Sequence, residues 1–204
     1  MNCWDLLCLV LGEENLYTAT RDADLQPDKI SVNQDPSIIF TMMGAFLVTK
    51  TGHLLVVLPT LASTDPLHLG IALHEAIHAK RWQEGHHGIT SRYWLCRLWE
   101  EWQTNREAKR LTKAMFQGET RKDVFQLLKV SDQFYNPLVT LATMVLMTVN
   151  RADWIRNLMA RWLDWKSHRQ TGLPFAEACQ IYMDRIQAIP ENHTCDRCLA
   201  EQAA

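Results

Sequence analysis

Between residues 67 and 79 apolar side chains fall on nearly every face of a helical wheel: Leu67, Leu69, Ile71, Leu73, Ala76, Ile77 and Ala79. Such a stretch predicts a central, buried helix. Ser63, Thr64 and Asp65 offer capping oxygens before it, Pro66 suits its first turn, and Gly85 offers a stop. Upstream the pattern is that of strands. Residues 38–49 are β-branched and aromatic, with Gly44 as a candidate bulge, and 54–58 read Leu-Leu-Val-Val-Leu before Pro59. Residues 50–53 predict the turn between them. The polar run 12–37 reads as a loop, and the apolar run 3–11 as a packed N-terminal helix.

After residue 85 the periodicity is helical throughout. A long pattern over 90–116 stops at Gly118, and further helices are predicted over 121–134, 137–168 with a break near Asn150, and 174–189. Trp154, Leu158, Trp162 and Trp165 form an apolar stripe, read as helix packing or, alternatively, a wall for substrate or partner. The fold class is α+β and mainly helical: a small sheet or hairpin packed on the 67–79 helix, then a helical C-terminal half. The domain reading is a core over 1–118 and a helical region over 119–204 packed on it as one continuous unit.

The polar residues that interrupt these apolar faces carry the chemistry. His74-Glu75-Ala76-Ile77-His78 is an HExxH pentad. Residues four apart on a helix lie one turn apart on one face, so two imidazoles there can share a Zn²⁺ at about 2.0–2.1 Å each. Glu75 then stands beside the metal, placed to take a proton from a metal-bound water. Two imidazoles and a carboxylate in a buried helix cost free energy unless something satisfies them, and a metal does. The alternative is a helix whose histidines are hydrogen-bonded core residues.

A catalytic zinc needs a third protein ligand and one open position. On the 90–116 helix the core-facing stripe runs Trp94, Leu98, Glu101, Asn105, Ala108, Leu111 and Met115. Glu101 and Asn105 are its polar members: Glu101 is read as the ligand, and Asn105 as a hydrogen-bond partner behind a ligand histidine. Glu100 is the rival ligand, on a stripe with Cys96 and Glu107. Glu107 reads as solvated beside Arg106, Arg110 and Lys113. His86 and His87 read as loop residues; an H-E-x-x-H-x-x-G-x-x-H layout needs Gly at 81 and His at 84, where Arg81 and Glu84 stand.

Glu101-Trp102-Gln103-Thr104-Asn105, after HExxH, resembles the E-x-x-A-[ND] motif of gluzincin zinc metallopeptidases, in particular the compact ImmA/IrrE-type and Ste24/HtpX-type members. The resemblance spans roughly residues 38–116, with Thr104 standing where the family has Ala. It implies a zincin-like fold and an endopeptidase. His74, His78 and Glu101 would hold one Zn²⁺, Glu75 would be general base, and Asn105 would lie behind a ligand. An edge strand within 38–58 would take the substrate backbone. For the transition-state stabiliser, His168, His193, Tyr135 and Tyr182 stay open.

Composition limits the other classes. The chain has 204 residues, 47% hydrophobic and 22% charged, with net charge −2, so nothing suggests a nucleic-acid face. The apolar run 138–149 is shorter than the about 20 residues a span needs, so membrane association is not expected. The N-terminus lacks a basic signal-peptide region, which points to a cytoplasmic protein. Cys96 and Cys179 read as buried thiols, and His193, Cys195 and Cys198 as a surface tail or a partial second metal site. A polypeptide substrate is the expected partner, with a regulatory protein partner left open. The competing function class is a non-catalytic zinc-stabilised or helical interaction module.

Overall fold

The computed structural model describes residues 1–18, 26, 28–35, 38, 44–135 and 153–187. Four strands form one mixed sheet: β1 (Leu16–Thr18), β2 (Ile30–Gln34), β3 (Ala45–Val48) and β4 (Leu54–Leu58). Their spatial order is β1-β2-β4-β3. β1, β2 and β4 run parallel, with Leu16 opposite Ile30 and Ile30 opposite Leu54. β3 runs antiparallel to β4, pairing Phe46 with Val56 and Leu47 with Leu55. The hairpin of sequence expectation is therefore present, but it is half of a larger sheet. β1 and β2 lie inside the 12–37 stretch read as loop. Ser31 and Asn33 break the apolar run of β2, yet Ile30, Ser31 and Val32 are buried because β2 is a central strand.

Helix α1 (Cys3–Leu11) opens with a reciprocal cap. Asn2 Oδ1 accepts from the Asp5 amide at 2.8 Å, and Asp5 Oδ2 accepts from the Asn2 amide at 2.9 Å. Its first amides donate to Ser63 and Leu61 carbonyls, which ties α1 to the segment entering α2. α2 (Pro66–Gln83) starts on Asp65, whose side chain accepts from the Leu67 amide at 2.8 Å, with Pro66 at its first position. Gly85 beyond its end takes φ +90°, where a side chain would be strained. The sheet, α1 and α4 enclose α2, and Leu67, Leu73, Ala76 and Ile77 have no exposure at all.

A 3₁₀ turn (Gly88–Thr90) precedes α3 (Trp94–Met115), so that helix begins four residues later than its apolar pattern suggests. α4 spans Gly118–Tyr135, α5 Asp153–Thr171 and α6 Phe175–Gln187. α4 packs on both α2 and α3, and α5 and α6 pack on α4. Gly70 permits the α2–α4 approach: a Cβ there would lie 2.7 Å from Leu127 Cδ2. The tryptophans divide. Trp4 and Trp82 pack against the core, whereas Trp99, Trp162 and Trp165 are exposed. Cys96, read as buried, is exposed on the first turn of α3. Among the described residues no helix is long and apolar enough to cross a membrane, and the 138–149 segment lies outside them.

Candidate metal centre

α2 and α3 cross so that their polar interruptions meet. His74 and His78 on α2 face Glu101 on α3, and the three form the group of potential metal ligands found among the described residues. His74 Nε2, His78 Nε2 and Glu101 Oε2 lie 3.1 Å from one another on all sides. Three atoms at the corners of an equal-sided triangle cannot all hydrogen-bond well, because each N–H would have to point 60° away from one partner. A shared cation satisfies all three at once. In a tetrahedral site with bonds of about 2.0–2.1 Å, neighbouring donor atoms lie about 3.3 Å apart. The donor set and its spacing therefore fit zinc. His78 is buried, and the His74 and Glu101 side chains are 12% and 21% exposed, so the triangle is open on one side.

Each imidazole is also held from behind, by adjacent residues of α3. Thr104 Oγ1 lies 3.2 Å from His78 Nδ1, and the Asn105 side chain lies beside His74, where it helps raise the imidazole pKa. The Asn105 amide also donates to the Leu128 carbonyl of α4 at 2.8 Å. An Asp could not make that second bond, so the amide joins α4 to the site. Thr104 and Asn105 are fully buried. Glu101, Thr104 and Asn105 thus project from one turn of α3, spaced i, i+3 and i+4. Phe46 of β3 stacks on the His78 ring at 6.3 Å between centroids.

Glu75 lies beside the triangle and is buried. Its carboxylate accepts a hydrogen bond from the Phe46 backbone amide, and Gly44 sits against it. A Cβ at Gly44 would come within 2.6 Å of Ile71 Cγ2 and 3.1 Å of Glu75 Cγ. Gly44, read as a bulge residue, lies against Glu75 at the entrance to β3. Burial pushes the Glu75 carboxyl above its ordinary range, and the imidazoles of His74 and His78 offset only part of that rise. Burial opposes a charged His74, but the hydrogen bond to Glu101 and the charges of Glu75 and Glu101 raise its pKa overall. Glu101 is the reverse: burial works against its charge, and hydrogen bonds from both histidines hold it well below the usual carboxylate range.

The rival ligands are otherwise engaged. Glu100 is buried but turned away, accepting from Arg81 Nε at 2.6 Å and Nη2 at 3.1 Å. Gly88 lies against it; a Cβ there would be 3.0 Å from Glu100 Cβ. Glu107, expected to be solvated, is only 15% exposed and pairs with Lys80 at 2.7 Å, because α2 supplies Lys80 and Arg81 opposite it. His86 and His87 are exposed beyond the end of α2, and His87 packs edge-on against Trp82. Of the candidate stabilisers, His168 is exposed on α5; the Tyr135 and Tyr182 side chains and His193 lie outside the described residues, as do Cys195 and Cys198. Sequence reasoning missed Thr104 as a partner of His78, the Phe46 amide on Glu75, and the Arg81–Glu100 pair. Only Thr104 left a trace, as the residue that stands where the resembling motif has Ala. No known protein family, curated protein or solved structure matches this chain.

Proposed function

We propose that the chain is a zinc-dependent metallopeptidase of the gluzincin type, with a zincin-like packing of β3, α2 and α3 around the metal. The observation that carries this reading is the equal-sided His74–His78–Glu101 triangle with Glu75 beside it. His74, His78 and Glu101 would hold the ion. Bound there, zinc would supply a Lewis acid for a peptide carbonyl and bring the pKa of a water towards about 7.

The chain's own residues account for the proton transfers. Glu75 takes the proton of the attacking water and returns it to the leaving amine. Burial raises its pKa, which favours its taking up a proton. The Phe46 amide and the absence of a side chain at Gly44 hold the carboxylate in place. Asn105 orients His74.

The sheet supports a polypeptide substrate. β3 is an edge strand and lies directly on α2. Since the Phe46 amide faces Glu75, it does not face β4; by the alternation of an antiparallel pair, Val48 also turns its N–H and C=O to the open edge. A substrate strand added there would pair with Val48 while Phe46 stays with the catalytic base.

The test is hydrolysis of a mixed peptide library by zinc-loaded protein, read by mass spectrometry. Wild type should cleave. Glu75→Gln should retain the metal and lose about 10²–10⁴-fold in rate, the usual contribution of a general base. Equal cleavage by both proteins, or none by a zinc-loaded wild type across the library, would contradict the assignment.

A further inference from the structure

We infer that Thr104 is a positioning residue for His78, and that its hydroxyl sets how firmly a metal is held; this rests on the metal site proposed above. Where the resembling family has Ala, this chain has a side chain that reaches a ligand. Thr104 Oγ1 lies 3.2 Å from His78 Nδ1, and Thr104 has no solvent exposure. When Nε2 is given to a metal, Nδ1 carries the ring proton, and the hydroxyl accepts it. The His78 side chain is 3% exposed, so no bulk water competes for that proton.

The same helix contains an internal comparison. Thr112 lies two turns further along α3, is equally buried, and donates its hydroxyl to the Ala108 carbonyl at 2.8 Å. That is the ordinary way for a helical threonine to satisfy itself. Thr104 instead faces across to α2. On the same turn of α3, Asn105 lies beside His74 as Thr104 lies beside His78. Both are neutral. A β-branched residue inside a helix is less favourable than Ala, and the hydrogen bond to a ligand compensates for it.

The experiment uses the full chain as wild type and as Thr104→Val, Thr104→Ser, Thr104→Ala and Thr112→Val. Zinc affinity is measured by competition with a chelator, and the visible spectrum of the cobalt-loaded protein reports coordination geometry. Thr104→Val should bind zinc about 10- to 100-fold more weakly, with a shifted cobalt band. Thr104→Ser and Thr112→Val should stay within a few-fold of wild type with the wild-type band. Thr104→Ala, which favours the helix, serves the same comparison if the valine variant does not fold. Wild-type affinity and spectrum in the variants lacking the hydroxyl, or equal losses in Thr104→Val and Thr112→Val, would overturn the role of Thr104. A wild type that binds no zinc would overturn the metal site itself, and is told apart because every variant then behaves alike.

Discussion

At the scale of single residues, neighbouring glutamates on α3 have opposite roles because of what α2 presents to each. Glu101 meets two imidazoles, and Glu100 meets a guanidinium. Replacing Arg81 with Met should leave Glu100 buried and unpaired, at a cost of about 3–5 kcal/mol. Denaturant unfolding of the metal-free protein checks this, and a loss below about 1 kcal/mol would show that the pair is solvated instead. His74 and His78 were legible together because helical spacing puts them on one face of α2, and Glu101 because it falls on the core-facing stripe of α3. The preference for Glu101 over Glu100 rested on stripe membership, whereas the Arg81 pairing that occupies Glu100 depends on how α2 and α3 cross. Thr104 was visible only as a departure from a motif, since no spacing rule says that its hydroxyl crosses to another helix.

Among the elements, the approach of β3 to α2 fixes the Glu75 carboxylate. Gly44 is required at that contact because a Cβ there would clash with both Ile71 and Glu75. Gly44→Ala should destabilise the chain by about 1–3 kcal/mol, as overpacking does, and displace Glu75. Thermal unfolding together with the rate of peptide cleavage tests this: stability and activity should fall while zinc content is kept. An unaltered rate would mean that the strand entrance gives way without disturbing the base. The hairpin and the buried helix were legible from their periodicity. β2 was not, because a short central strand owes its burial to its neighbours, and Ser31 and Asn33 disguise it.

For the whole molecule, protons and metal compete for the same atoms. Without metal, the raised His74 pKa gives stability that is complete below about 6.5, the ordinary histidine value, and is lost as pH rises through the folded value. Glu101, held low, gives stability that is complete above about 4.5 and is lost as pH falls. The metal-free chain should therefore be most stable at mildly acidic pH between those values. Zinc requires neutral imidazoles, so its affinity should weaken as pH falls through the raised His74 pKa, and saturating zinc should move the stability maximum to higher pH. Melting curves across pH, with zinc and with chelator, check both. Coincident curves, or zinc stabilisation independent of pH, would contradict this coupling.

The central claim is that two histidines of α2 and one glutamate of α3 hold a metal. Elemental analysis of purified wild type, Glu101→Ala and Glu100→Ala tests it most directly. The geometry predicts one zinc per chain in wild type and in Glu100→Ala, and its loss in Glu101→Ala. No zinc in wild type after zinc is supplied, or zinc kept in Glu101→Ala and lost in Glu100→Ala, would contradict the site.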